Sequence, residues 1–394
     1  MKRFSRSSLT TMAVCLLFIP ALLKAQPRPA HRKKVGVVLS GGGAKGMAHI
    51  GVLKVIEKAG IPIDYVVGTS MGSIIGGLYS IGYSPEQLDS MVRRQDWTFL
   101  LSDKIPRSEQ NLSERDASQK YVFSIPFGKG VKAEVFGGLI RGQNLANLFS
   151  ELTIGYHDSI NFNKLPIPFA CVSENIVNGN EVNFHEGVLA TAMRASMAIP
   201  GVFTPVRLDS MVLVDGGVVN NYPVNVARAM GADLIIGVDV QSELKPAGEL
   251  NSAGAILGQL VNLMGQDLYK KNLKETTTYI KVNVEGYSAA SFTPSAIDTL
   301  IMRGEEAAMA QDSALMALKS QLGLDSTYMP QPIPSYPYSP ERKVYVKEIT
   351  FDGLDEKDKK WLLKRCDLKE NSEISIRRIE EATAILSANL GYSG

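Results

Sequence analysis

A serine framed by two glycines, Gly68-Thr69-Ser70-Met71-Gly72, stands between two apolar runs of different character. Before it, Ile63-Asp64-Tyr65-Val66-Val67 is β-branched and aromatic, as a short buried strand should be. After it, Ser73-Ile74-Ile75-Gly76-Gly77-Leu78-Tyr79 predicts a packed helix. A G-x-S-x-G passage from strand to helix lifts the serine onto a tight corner. Gly68 and Gly72 are needed there because side chains would strike the crossing strand and helix. A hydroxyl on such a corner, near the positive end of a helix, is placed to act as a nucleophile in acyl transfer.

A second glycine turn, Gly41-Gly42-Gly43-Ala44-Lys45-Gly46, follows the strand-like Lys34–Ser40 and opens a helix-like stretch from Met47 to Ala59. Gly41, Gly43 and Gly46 match G-x-G-x-x-G, so a dinucleotide site is a rival reading. That site needs an acidic residue at the end of the second strand to hold a ribose. Asp64 lies at the beginning of that strand, and its end carries Gly68 and Ser70. A phosphate-cradling P-loop fails too, because Lys45 precedes Gly46 and no Gly-Lys-Ser/Thr follows. The remaining reading is that Gly41, Gly42 and Gly43 leave backbone N–H groups free at a helix start. Such donors stabilise an oxyanion, each worth roughly 3 kcal/mol. Lys45 either meets the substrate or holds this loop.

A serine nucleophile needs a base. The four histidines are His31, His49, His157 and His185. His49 lies about a turn into the first helix, where packing or hydrogen bonding is the expected role, and the others lack strand-end context. Asp215 follows the strand-like Met211–Val214 and precedes Gly216 and Gly217. Alone, Asp-Gly-Gly reads as a turn. Beside Ser70 and the glycine loop, it reads as the base. An ordinary aspartate, with a pKa near ~3.9, is a poor base at neutral pH. Burial is therefore expected to raise Asp215.

Strand, glycine turn, helix, strand, serine turn, helix implies parallel strands joined by crossovers, hence an α/β sheet. Further strands are expected at Ile167–Ser173, Met211–Val214, Leu234–Val240 and Thr278–Val284. Helices are expected at Ala190–Ala198, Ile256–Lys271 and Ile297–Leu322. The chain has 394 residues, 45% hydrophobic and 21% charged, enough for two or three domains and a large core. Its 42 basic and 40 acidic residues nearly balance, which gives no reason to propose nucleic acid as a partner. Lys2, Arg3 and Arg6, an apolar Leu9–Leu23 and the small Ala25 predict a signal peptide over residues 1–25. The apolar run is shorter than the ~18–20 residues of a membrane span. The mature protein is thus expected to be exported, to the periplasm, the outer membrane or beyond. Cys171 and Cys366, far apart, are expected to be buried packing residues rather than a disulfide pair. Trp97, Phe99, Leu100 and Leu101 form either a lipid-facing patch or, the favoured reading, a cap packed on the core.

Taken together, Gly41–Gly46, Gly68–Gly72 and Asp215–Gly217 resemble the patatin-like phospholipase family in order and context, over roughly residues 34–320. Ala195–Pro200 with Gly201–Phe203, and Gly138–Asn144, resemble further blocks of it. The resemblance implies a three-layer α/β/α fold with a mainly parallel sheet and hydrolysis of lipid acyl esters by a Ser–Asp dyad. Ser70 would be the nucleophile, Asp215 the base and Gly41–Gly43 the oxyanion donors, with no metal or other cofactor. The substrate would be a phospholipid or other acyl ester, met at a membrane surface.

The expected organisation is a leader at 26–33, the acyl hydrolase domain at 34–325 and a proline-rich linker at 326–342. A partial α+β segment follows at 343–394. Val344–Gly353 and two following helical stretches resemble the start of a POTRA domain, as in proteins where a patatin domain precedes POTRA and an outer-membrane barrel. Two alternatives stand beside the hydrolase. One is an acyltransferase or thioesterase with the same dyad. The other is an outer-membrane secretion component carrying the patatin-like part as a passenger.

Overall fold

A computed structural model describes residues 32–104, 138–251, 253–333, 341–350, 356–379 and 381–382. The expected signal peptide, residues 26–31 of the leader, linker residues 334–340, and residues 351–353 and 383–394 of the last segment lie outside this set. Among the described residues no helix is long and apolar enough to cross a membrane.

The centre is an eight-stranded sheet. Its strands are β1 (Val35–Leu39), β2 (Tyr65–Thr69), β3 (Phe169–Asn175), β4 (Asn180–Phe184), β5 (Val206–Leu208), β6 (Met211–Asp215), β7 (Leu234–Asp239) and β8 (Thr278–Lys281). They run in the order β8-β7-β1-β2-β3-β6-β5, with β4 also on β3. The five from β8 to β3 are parallel, and β4, β5 and β6 join as antiparallel pairs. The expected α/β fold with a mainly parallel sheet is what forms.

The strands are apolar on both faces because both faces are covered. Val35, Val37 and Leu39 point into the larger apolar cluster and Val38 into the smaller. Ile236 and Val238 of β7 divide from Ile235 in the same way. The smaller cluster is closed by Tyr222 and by Val224, Val226 and Ala227 of the helix Val224–Ala229. The larger lies under α1 (Ala48–Lys58), α2 (Met71–Ser80), α3 (Pro85–Arg94), α4 (Gln143–Leu152), α5 (Leu189–Ser196) and α7 (Pro294–Met309). Each fully buried aliphatic side chain there contributes roughly 1.5–3 kcal/mol. Glycine lets α1 and α7 approach closely: a Cβ at Gly304 would lie 2.0 Å from the Ala48 carbonyl oxygen.

Two long helices expected from the sequence are each broken. Ile256–Lys271 divides at Gly265 into α6 (Ala253–Met264) and a helix Gln266–Lys274. Ile297–Leu322 divides at Ala310–Gln311 into α7 and a helix Asp312–Gln321. Beyond the linker, Lys343–Val346 pairs antiparallel with Ser372–Ser375, and the helix Glu356–Arg365 lies between them in sequence. The second of these strands was not expected. Cys171 and Cys366 are free and buried.

Candidate active site

β1, β2 and β6 deliver three different turns to one place. β3 explains how an antiparallel strand can join two parallel ones there. Thr69, the last residue of β2, pairs with Val172, and the next residue of β3, Ser173, pairs with Asp215 at the end of β6. β2 and β6 thus meet end to end along β3, and Ser70 faces Asp215. The Ser70 hydroxyl donates to Asp215 Oδ2 at 2.6 Å, and both side chains are buried.

The serine corner is as tight as its sequence demands. Ser70 has φ 54° and ψ −125°, a conformation that costs a non-glycine residue about 1–3 kcal/mol. A Cβ at Gly68 would come 2.3 Å from the Gly72 carbonyl oxygen, and one at Gly72 would come 2.2 Å from that of Leu39. Three contacts over-determine the strained residue. Its N–H donates to Ser196 Oγ at 3.0 Å, the Ser196 hydroxyl donates to the Val172 carbonyl at 2.6 Å, and the Ser73 hydroxyl donates to the Ser70 carbonyl at 2.6 Å.

Asp215 accepts the Gly217 N–H on Oδ1 at 2.7 Å, and its own N–H donates to the Ala198 carbonyl at 2.9 Å. Gly216 lets this turn cross β3 closely, since a Cβ there would lie 2.2 Å from the Val172 carbonyl oxygen. Burial raises the carboxyl to about 6, against the lowering effect of the bonds from Ser70 and Gly217. This carboxyl can hold or release a proton close to neutrality.

The glycine loop is partly a 3-10 turn, Gly43–Met47, running into α1. Its three leading glycines differ as donors. The Gly41 N–H is given to the Asn221 carbonyl at 3.2 Å, while those of Gly42 and Gly43 have no partner among the described residues. Gly43 sits at φ +56°, and a Cβ on it would strike the Ala289 carbonyl at 2.4 Å. Gly46 makes room for Met71, whose Cγ lies 2.4 Å from where a Cβ would stand.

Lys45 turns out to hold the loop to the segment after β7. It is buried and donates to Ser242 Oγ at 2.8 Å. Burial, then the Lys281 charge, lowers it to about 8. Its neighbour Asp239 ends β7 and accepts Tyr269, Tyr279 and Lys281 on Oδ2 at 2.8, 2.8 and 3.0 Å. Burial opposes ionisation of Asp239, but the Lys281 charge and these bonds carry its carboxyl below the ordinary range. His49 is fully buried with Nε2 2.8 Å from the Ser40 carbonyl, and burial lowers it to about 4, so it is neutral and structural.

A cavity with lining that is apolar except for Gln95 includes Met71, the residue after Ser70, though neither Ser70 nor Asp215 lines it. Met71, Ile74 and Ile75 form one wall on the first turns of α2, leading away from Ser70. Met47, Met197 and Leu148 are further walls. Trp97 lines it too, stacked on Phe292 with ring centroids 4.8 Å apart and donating Nε1–H to the Val92 carbonyl at 2.9 Å. Trp97, Phe99, Leu100 and Leu101 all pack on the core, so the cap reading of this cluster holds.

Residues 37–228 match the model of the family described as patatin-like phospholipase. The match spans just under half of the chain, and that segment is patatin-like. The patatin-like segment is 31% identical over 221 residues to lysophospholipase NTE1 of Candida albicans, covering 55% of this chain and 14% of that protein. It is 35% identical over 211 residues to a patatin-like phospholipase domain-containing protein of Caenorhabditis elegans, covering 53% of this chain and 14% of that protein. An uncharacterised NTE family protein of Mycobacterium bovis is 29% identical over 230 residues, covering 58% of this chain and 55% of that protein. The chain thus spans from 14% to 55% of the length of these relatives. Among solved structures, VipD from Legionella pneumophila aligns with a TM-score of 0.39 at 17% identity, over 73% of this chain and 67% of VipD.

Proposed function

We propose that this chain is a serine lipid acyl hydrolase, of phospholipase A or lysophospholipase type, with Ser70 as nucleophile and Asp215 as base. The observation that carries the reading is the 2.6 Å bond from the Ser70 hydroxyl to a buried carboxyl raised to about 6. Ser70 Oγ attacks the ester carbonyl carbon and its proton passes to Asp215 Oδ2. The carbonyl oxygen takes the negative charge and accepts the N–H groups of Gly42 and Gly43. Collapse expels the alcohol, which leaves with the proton from Asp215. Water then attacks the Ser70 acyl ester, again giving a proton to Asp215, and free fatty acid and the serine hydroxyl result.

The substrate class follows from the surroundings. The apolar lining that begins at Met71 favours an acyl chain over a polar guest, and its methionines can shift to admit one. A membrane surface is the inferred partner. Ile256, Leu260, Leu263 and Met264 of α6 are exposed at spacings that put them along one face, and α6 packs beside the turn that follows Asp215. Such an uncovered apolar stripe favours an interfacial partner. The similarity to a protein named lysophospholipase points the same way. Export by the N-terminal segment, and a POTRA-like start after the linker, complete the proposal.

The deciding experiment is release of fatty acid from mixed phospholipid vesicles by the mature chain beside Ser70→Ala and Asp215→Ala. Release by the parent and by neither variant is expected, and the products name the positional class. A folded parent that releases nothing would shift the reading to a passenger in a secretion component. Acyl groups passed to an alcohol or thiol acceptor rather than water would make it a transferase.

A further inference from the structure

Asn221 has no role in the chemistry above, yet it touches the glycine loop and the Asp215 turn. Its backbone carbonyl accepts the Gly41 N–H at 3.2 Å. Its Nδ2 donates to Gln241 Oε1 at 2.9 Å and lies 3.5 Å from the Gly41 carbonyl. Its Oδ1 fills the space beside two glycines: a Cβ at Gly41 would lie 2.3 Å from it, and one at Gly217 would lie 2.9 Å away. The same point at Gly41 is 3.0 Å from Ser70 Cβ, so one carboxamide spans loop and turn a single atom's width from the nucleophile. Gln241 is itself anchored, since its N–H donates to Asp239 Oδ1 at 2.8 Å. Behind the carboxamide therefore stands a fully buried carboxylate held by Lys281, Tyr269 and Tyr279.

We propose that Asn221 is the positioning residue of the oxyanion donors: it fixes Gly41 at both its N–H and its carbonyl side, so that the next two N–H groups, of Gly42 and Gly43, keep their aim at the carbonyl oxygen. This rests on the acyl-hydrolase reading. Oxyanion donors act over a narrow distance window, and losing one outright costs roughly 10²–10³ in kcat. Replacing the Asn221 side chain leaves its backbone carbonyl in place, so the loop loosens rather than disappears. A loss of about tenfold in kcat follows, with KM little changed, because the ground-state ester makes little use of these donors.

The test measures kcat and KM on p-nitrophenyl butyrate, and Ki for butylboronic acid, in the parent, Ser70→Ala, Asn221→Ala, Asn221→Asp and Gln241→Ala. The boronate adduct on serine places an oxygen where the oxyanion forms. Asn221→Asp keeps the volume but cannot donate from that position, so it serves if Asn221→Ala folds poorly. Both Asn221 variants are expected to lose about tenfold in kcat at KM within about twofold, with the boronate Ki rising by a similar factor. Gln241→Ala should move in the same direction by less. Asn221 variants with parental kcat and Ki, or with a loss confined to KM, overturn the inference. A folded parent that turns over no ester overturns the acyl-hydrolase reading, and this inference with it. A parent active through Ser70 beside unaffected Asn221 variants sinks this inference alone.

Discussion

The N–H of Ser70 is held 3.0 Å from the hydroxyl of Ser196, a residue 126 positions later in the chain. Ser196 spends its own proton on the Val172 carbonyl at 2.6 Å, so its oxygen is fixed as an acceptor. Two residues on, the Ala198 carbonyl receives the Asp215 N–H at 2.9 Å. The end of α5 therefore grips both Ser70 and Asp215 by their backbones. It holds Ser70, the proposed nucleophile, at its positive φ of 54°.

Ser196→Ala removes that grip at one point and leaves two buried polar groups unpaired, a loss of about 2–6 kcal/mol in stability. With the strained corner freed to relax, kcat on a short-chain ester is expected to fall about tenfold or more. Ser196→Thr, which keeps the hydroxyl, should recover part of it. Steady-state kinetics beside thermal unfolding would separate the two effects. An Ala variant with parental kcat would refute the positioning role.

The pH dependence follows from Asp215. In the proposed mechanism Asp215 works as the ionised carboxylate, and burial puts its midpoint at about 6. The rate should therefore rise with pH, reaching about half its maximum near pH 6 and only about a tenth near pH 5. Titration of kcat/KM on a soluble ester checks this, and a profile flat down to pH 4 contradicts it.

The same shift has a stability consequence of opposite sign. A carboxyl whose folded value lies above its ordinary one favours the folded state when protonated. That contribution is fully present below about pH 4 and is lost as pH rises through about 6. The difference corresponds to roughly 3 kcal/mol at most. Asp215→Asn, which cannot ionise, should therefore be more stable than the parent at pH 8 and no more stable at pH 4. Urea unfolding at the two pH values measures this. Equal stability at pH 8 would discard the desolvation account.

The site was legible in the sequence wherever one turn carries the whole signal. Gly68 and Gly72 meet carbonyl oxygens at contact distance, and such clashes force glycine whatever surrounds them. The direction of β6 was not legible. Met211–Val214 has the same apolar character whichever way it runs, and only its pairing with Ser173–Asn175 of β3 sets the direction. Ser196, Asn221 and Gln241 are ordinary polar residues that gain their roles from partners far along the chain, so no local pattern marks them. Ala195–Pro200 resembled a family block without any role attached to Ser196. The strand Ser372–Ser375 carries one buried apolar residue, Ile374, and exists through its pairing with Lys343–Val346.

The exposed stripe on α6 gives a prediction at the lipid surface. Leu260→Asp with Met264→Asp puts two charges on the face inferred to meet the bilayer. Vesicle hydrolysis is expected to fall by about a hundredfold or more, since each buried leucine or methionine contributes roughly 1.5–3 kcal/mol and a charge adds repulsion from the apolar phase. A soluble short-chain ester should be turned over at the parental rate. Equal losses on both substrates would mean that the stripe serves folding rather than docking.

The apolar cavity that begins at Met71 makes a last prediction, about chain length. Leu145, Leu148, Phe149 and Leu152 of α4 line it together, and Leu148 is only half-buried, so a larger side chain can be seated there without rebuilding the core. Leu148→Trp should occupy space that a long acyl chain would use and leave room for a short one. Excluding two or three methylenes from an apolar pocket removes roughly 2 kcal/mol, a factor of about thirty in kcat/KM. The butyryl ester should therefore stay within about twofold of the parent while the palmitoyl ester falls by more than tenfold. Both are measured on the same preparation, with thermal unfolding as the control for packing. A uniform loss across chain lengths would place the acyl chain elsewhere, and the apolar lining would then belong to the core alone.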